Sequence, residues 1–468
     1  MIDPTAPWHG GGVVVRSRVA VTRLSLLGLG LLLGACGARE DPDGPAAVLD
    51  LADDPHAYVT STAYRRAILE RDLIRDELPG HGEPVYVRVR LRHYATVDDP
   101  DGWDAVPVVD WPTLPLTVED AAAIAVSGQI PALEFGPGLA DGLDSDSLPD
   151  SQDEWIALGE RVFFEYPMSP IPSLGEALRE GLDLRDYGVI EHEGAYVGVR
   201  FVARAGRTGI AVTCASCHAS VDEDGWLSGV RANRNYDLGR FRLDHGGAGD
   251  HHAVDATSDS DLAKLGPGRS DVQHDGQFNP YAFPDFGGIA DMAYLHHTGN
   301  WANRGVATLA IRVETVFMTG GRVSSRPPRV LMWALAEYLR SLPAPAPLAA
   351  TAAPSLASER GRLVFEAEGC DGCHTPPFYT SSARVAMAAI GTDPAAGLSP
   401  LRGTGYWRVP SLRGVGGNAP YLHHGAFASL EAMFAADRIE SGQELGHGFG
   451  LALDAADRAD LLTFLRTL

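Results

Sequence analysis

Long apolar runs, cysteine and positive charge are all scarce in this 468-residue chain, and each scarcity narrows what it can be. Past residue 36 no stretch approaches the roughly 20 apolar residues of a membrane-spanning helix, so the remainder is expected to be soluble. Only five cysteines occur: Cys36, Cys214, Cys217, Cys370 and Cys373. The first ends an apolar leader and the other four form two identical patterns. None is left for a disulfide, so stability must come from cores and cofactors. Lysine and arginine number 38 against 61 acidic residues, a formal charge of −23 that argues against nucleic acid as a partner. The same surface would attract a partner with a basic face. Hydrophobic content of 45% and charged content of 21% are ordinary for a globular protein, and the length suggests two or three domains.

Residues 1–36 read as a targeting segment. Arg16, Arg18 and Arg23 precede an apolar run from Leu24 to Leu33, and Leu33-Gly34-Ala35-Cys36 resembles the bacterial lipobox. That resemblance implies cleavage before Cys36, acylation of its thiol, and a lipid-anchored chain on the periplasmic or cell-surface side of a bacterial membrane. An ordinary cleaved signal and a buried strand are the alternatives. Residues 37–54, rich in Asp, Pro and Ala, read as a flexible tether. Residues 55–150 form an N-terminal region without an assignable role. Within it Tyr64 to Leu73 reads as a helix, the apolar/Arg alternation from Val85 to Tyr94 as an edge strand, and Gly136 to Asp150 as a loop.

The sequence then repeats itself. Ser151-Gln-Asp-Glu154 is a capping-box pattern before a helix that contains Gly159-Glu-Arg-Val-Phe163, and a second unit near Ser355 contains Gly361-Arg-Leu-Val-Phe365. Each unit goes on to a Cys-x-x-Cys-His and closes with an amphipathic helix, at Leu335 to Leu342 and at Leu461 to Leu468. The expected fold is mainly α: two cytochrome c-type haem domains in tandem, 151–342 and 355–468, joined by a stiff Pro/Ala linker at 343–354. The first domain carries a β-hairpin between Val189 and Val212 and a long loop from Gly246 to Gly288.

Cys214-Ala-Ser-Cys217-His218 and Cys370-Asp-Gly-Cys373-His374 carry the chemistry. Two thiols at this spacing can each form a thioether to a haem vinyl group, and the adjacent His then reaches the iron from the same side. A zinc site would want the two Cys pairs close together, and a redox dithiol does not require the following His. Two covalently bound haem c groups are therefore expected, with His218 and His374 as proximal ligands. Whether calcium is also bound is not inferable.

The sixth ligand decides what each haem does, because His or Met closes the site whereas an open position admits peroxide or oxygen. In the second domain the candidates are Met387, His423, His424, Met433 and His447, and His447 stands out because Gly446 and Gly448 flank it. In the first domain they are His245, His251, His252, His274, His296 and His297. Of these, His296 and His297 follow an apolar stretch and best suit a pocket wall.

Leu158 to Glu165, Val409-Pro-Ser-Leu-Arg-Gly-Val415 and Ala419-Pro-Tyr-Leu-His-His-Gly-Ala-Phe-Ala-Ser-Leu430 resemble the bacterial di-haem cytochrome c peroxidase superfamily, with its methylamine-dehydrogenase maturases and rubber oxygenases. The resemblance spans roughly residues 155–468. Gly446-His-Gly-Phe-Gly450 is similar to the rubber-oxygenase ending, which implies His447 as distal ligand of a bis-His second haem. Several positions depart from the pattern. His424 stands where Asp or Asn is usual, His296-His297-Thr298-Gly299 where an aromatic-Trp-Asp-Gly run is usual, and Asp437 where Met or Tyr faces the second haem. Trp301, nearby, is a candidate replacement for an electron-relay aromatic, with a packing role the safer reading.

The leading expectation is an oxidoreductase that takes electrons from a small soluble cytochrome or cupredoxin and reduces peroxide at the first haem. A non-catalytic electron carrier with both irons six-coordinate is the alternative, and a dioxygen-dependent oxygenase a weaker one.

Overall fold

The computed structural model describes residues 51–78, 80–94, 102–204, 206–246, 258–271, 277–320, 325–347, 355–438 and 446–468. The targeting segment with Cys36, most of the tether, His251, His252, His274 and linker residues 348–354 lie outside the described residues. What is described is mainly helical with small antiparallel sheets, as the sequence pattern leads one to expect.

Two helix pairs dominate, and they are built alike. Gln152–Glu165 packs on Arg329–Ser341, and Leu356–Ala367 packs on Ala455–Leu465. Each first helix starts at a serine capping box, Ser151 with Glu154 and Ser355 with Ser358, which satisfies amide donors a helix end would otherwise leave unpaired. A glycine makes each crossing possible. A Cβ on Gly159 would sit 1.9 Å from the Ala334 carbonyl oxygen, and one on Gly361 would sit 2.0 Å from that of Asp460. One helical turn later an aromatic pair closes over the crossing, Phe163 on Tyr338 and Phe365 on Phe464, both with ring centroids 5.4 Å apart. The sequence duplication is thus a duplication of packing. Gly361→Ala is expected to cost about 1–3 kcal/mol through overpacking, read as a lower melting temperature of the holo-protein. An unchanged melting temperature would show that the crossing tolerates a methyl group.

The segment Val85–His93, expected as an edge strand, is a helix. Its buried residues Tyr86, Val87 and Arg90, with Tyr94 just beyond, lie on one helical face, so tertiary packing overrides the β-branched alternation. The loop expected from Gly246 to Gly288 is also more ordered than expected. It contains the helix Asp259–Leu265 and the strand pair Arg269–Ser270 with Tyr281–Ala282.

The N-terminal region is joined to the first helix pair through one core. Tyr58, Ile68, Leu69, Tyr86 and Trp103 are buried together with Trp155, Phe163, Trp301 and Trp333. A buried polar network ties the same parts. Arg65 and Arg329 both pair with Asp104, Arg329 also pairs with Glu314 at 3.1 Å, and Tyr58 donates to Glu314 at 2.9 Å. Asp53 caps the helix Val306–Gly320 by accepting from the Val306 and Ala307 amides.

A second core forms on an antiparallel sheet in the order Thr113–Thr117, Ala195–Arg204, Arg207–Val212, Ser169–Pro170. The central hairpin delivers the chain from Val212 directly into the first Cys-x-x-Cys-His, whose Ala215–His218 is one helical turn.

Candidate functional site

The second Cys-x-x-Cys-His opens onto a cavity lined by Cys370, Cys373, His374 and His447, with Phe365, Leu461 and Leu465 from the second helix pair and Leu430, Met433 and Phe434 from the short helix Leu430–Met433 and the residue after it. His374 and His447 face each other across it, ring centroids 6.4 Å apart. Imidazole nitrogens bind metals at about 2.0–2.1 Å and lie about 1.1 Å from their ring centroid, so two imidazoles on opposite sides of one metal have centroids about 6.3 Å apart. The pair is spaced as axial ligands are.

Each imidazole is held for that task. The Nδ1–H of His374 donates to the Tyr379 carbonyl at 3.1 Å, which turns Nε2 toward the cavity. His447 is set in a left-handed conformation, φ 55°, by a bond from its amide to the Ile390 carbonyl at 2.7 Å. Buried Arg438 donates to the carbonyls of Gly446 and His447. A β-carbon residue in this region of φ is strained and persists only where its surroundings fix it. Burial pushes His447 down to about 4 and lowers His374 as well, so both rings are neutral and able to ligate.

The first motif shows the same device. His218 donates from Nδ1 to the Pro284 carbonyl at 3.0 Å, and burial pushes it down to about 4. Phe286 stacks on its ring at 4.3 Å and Phe283 lies at 5.9 Å. Burial pushes the Cys214 thiol up to about 12 and those of Cys217 and Cys370 up to about 11. Thiols held protonated in apolar surroundings do not suit a nucleophilic dithiol. Among the described residues no group of three or more His, Cys, Asp or Glu has the spacing of a metal cluster. Apolar walls, paired thiols and imidazoles with Nε2 freed are the features that fit a planar, thioether-linked haem.

The other candidates are dispersed. His245 is engaged at both ring nitrogens, Nδ1 with Glu180 at 3.4 Å and Nε2 with the Tyr187 hydroxyl at 3.3 Å. Met387 packs with Tyr281, Ala396 and Trp407 in a small core, whereas Met433 lines the cavity. Asp437 is exposed. Trp301 is fully buried and donates from Nε1 to the Tyr86 hydroxyl at 3.3 Å, a packing position. His296, at φ 64°, bonds through Nδ1 to the Thr298 hydroxyl at 2.8 Å. His297 stacks on Tyr281 at 4.8 Å and lines the same cavity as His374, beside His423, which stacks on Trp407 at 4.1 Å. His424 lies against His423, ring centroids 4.4 Å apart.

One stretch that the sequence reading left inside a loop forms the wall between the two motifs. The Ala282 amide donates to the His423 carbonyl and the Ala282 carbonyl accepts from the His297 ring. Pro284 holds His218, and residues from Ala282 to Asp285 line the cavity of His374. Its sequence signal is the pair of phenylalanines around Pro-Asp in Phe283-Pro284-Asp285-Phe286.

No family model and no curated protein matches this chain. Among solved structures it is similar to a MauG-like protein associated with microbial copper homeostasis, at 16% identity, covering 69% of this chain and 89% of that one with a TM-score of 0.34. Hydrazine synthase of Kuenenia stuttgartiensis overlaps at 15% identity over 77% of this chain and 95% of its own, TM-score 0.35. The diheme peroxidase BthA of Burkholderia thailandensis overlaps at 18% identity over 69% and 86%, TM-score 0.32. Likenesses this faint transfer neither fold nor function.

Proposed function

We propose that this chain is a di-haem c-type oxidoreductase with unequal sites. Cys370, Cys373, His374 and His447 hold a six-coordinate electron-transfer haem, while Cys214, Cys217 and His218 hold a haem at which a small oxidant, hydrogen peroxide, is reduced. The observation that carries this reading is the 6.4 Å separation of the His374 and His447 rings across an apolar cavity that begins at a Cys-x-x-Cys-His. Haem supplies an iron that exchanges single electrons and, where one axial position is open, binds a small oxidant.

The residues divide the work. The Tyr379 and Pro284 carbonyls fix the tautomer and aim of His374 and His218. The apolar residues of the second helix pair exclude water from the His374 side. Among the described residues the ring contacts of His218 are with Phe283 and Phe286 and not with a second imidazole, which favours the first site for the oxidant. The leader and Cys36 favour a chain exported and tethered by lipid, with electrons arriving from a small soluble cytochrome or cupredoxin.

Optical and EPR spectra of the oxidised holo-protein test the reading. One low-spin and one high-spin haem are expected, with peroxide-dependent oxidation of a reduced donor. Two low-spin haems in both the oxidised and half-reduced forms, without peroxide turnover, would leave only an electron carrier.

A further inference from the structure

The cavity at His374 contains a cation without a carboxylate partner among the described residues. Three arginines line it, Arg234, Arg408 and Arg413. Arg234 is spoken for by Asp285 at 2.7 Å and by Asn418 and the Phe283 carbonyl. Arg413 lies toward solvent, with its side chain 40% exposed and Asp291 4.0 Å away. Arg408 is different. Among the described residues it has no carboxylate partner, its Nε is buried without any partner, and its one hydrogen-bond contact from the guanidinium is with the Met292 sulfur. The carboxylates on the cavity wall do not serve it, since Asp285 is taken by Arg234 and Glu368 sits at the exposed rim.

A guanidinium without a carboxylate on an apolar wall becomes unfavourable once water is displaced, so an occupant that brings a negative charge is favoured. The neighbours agree. His297 and His423 stand on the same wall and are neutral, His297 pushed down to about 3 by burial and then by the Arg408 charge. The backbone holds the guanidinium in place, because Arg408 ends the strand Tyr406–Arg408 and its amide donates to the His297 carbonyl at 3.0 Å. Arg402, which is buried, also has no carboxylate partner among the described residues, but it stacks on Tyr86 and does not line this cavity.

We propose that Arg408 is the receptor for a carboxylate of the haem bound at Cys370 and Cys373, and that its charge holds up the reduction potential of that haem. This rests on the second site holding haem as proposed above. A haem carboxylate against Arg408 completes a charge-assisted pair that is missing from the protein itself. Reduction adds an electron, so a fixed positive charge beside the cofactor favours the reduced form. Because Arg408 is bonded through its backbone to His297 of the first unit, the pair also ties the second cofactor to the interdomain wall.

Spectroelectrochemical titration of the low-spin haem across pH 5–9 tests this in full-length holo-protein, native and with Arg408→Gln or Arg408→Lys. A unit charge at an assumed separation of about 10 Å, in an effective dielectric of about 20, is expected to change the oxidised-to-reduced ratio about fifteenfold, which is about 70 mV for one electron. Arg408→Gln is therefore expected to lower the potential by about that much. It should also make the potential more pH-dependent, because a carboxylate left alone takes up a proton more readily. Arg408→Lys keeps the charge and should stay within about threefold of the native ratio. An unchanged potential in Arg408→Gln overturns the proposal, and so does a shift in Arg408→Lys equal to that in Arg408→Gln; if the Gln variant does not accumulate, a change of about tenfold or more in Arg408→Lys, which keeps the charge, overturns it. A native protein without a low-spin bis-His signal would instead refute the second-site assignment on which it rests.

Discussion

Replacing Cys370 and Cys373 together by alanine is expected to remove one of two covalent haems and, with it, the fold of residues 355–468. The reason lies in what that unit has for a core. Phe365, Val415, Tyr421, Leu430, Met433, Phe434, Leu461 and Leu465 are buried core residues, and every one of them also lines the cavity at His374. They pack against one another as one cluster, and each also presents a face to the cavity, where an occupant would meet it. Burying a large apolar side chain is worth about 1.5–3 kcal/mol, and a whole domain is stable by only about 5–15 kcal/mol. Losing even part of that burial at eight residues is comparable with the margin. Haem staining of denatured protein should fall by half, and calorimetry should show the second unit unfolded at 25 °C. The corresponding change at Cys214 and Cys217 should halve the stain but leave more structure, because the first unit has two further cores built on helices, sheet and the N-terminal region. Equal stability of the two double variants, both near native, would contradict this account of the core.

His447→Gly is expected to convert one haem from low-spin to high-spin while leaving the fold intact, and added imidazole is expected to restore the low-spin spectrum. Glycine is the informative replacement. His447 sits at φ 55°, a conformation glycine adopts without penalty, so the ligand is removed and backbone strain is relieved in one change. The amide bond to Ile390 and the Arg438 bonds to the carbonyls of Gly446 and His447 do not involve the ring and should persist. The vacated volume is that of an imidazole, which is why the free ligand should fit. A low-spin spectrum that survives His447→Gly would transfer the ligand role to another residue, with Met433 on the same cavity wall the first to replace.

Much of the scaffold was legible because its signals are local. The capping serines, the Gly-x-x-x-Phe spacing and the closing helices follow a 3.6-residue period, and the crossing they imply needs only that each glycine meet a backbone. Val85–His93 misled because Val-Tyr-Val-Arg-Val-Arg alternates like a strand while its buried residues also share a helical face, and packing against Trp301 and Trp103 decided between the two. At the site, His447 stood out through its flanking glycines. Arg408 did not, although it directly precedes a stretch whose resemblance was noted. An arginine in an ion pair at the surface and one set in a cavity wall without a carboxylate have the same letter, and only the surroundings distinguish them.

The sequence alone determined the two Cys-x-x-Cys-His motifs, their repetition in duplicated units, and the proximal roles expected of His218 and His374. These are short-range facts: a thiol pair and its histidine lie within one helical turn, so spacing fixes their geometry. The tertiary structure alone decided that residues 281–286 wall one motif from the other, that the N-terminal region shares the first core, and that Arg408 has no carboxylate partner among the described residues, while the His447 that the sequence singled out is met there 6.4 Å from His374, ring to ring. Each of these depends on groups far apart in the chain meeting across a packed interior, where burial and pairing are set by the whole fold.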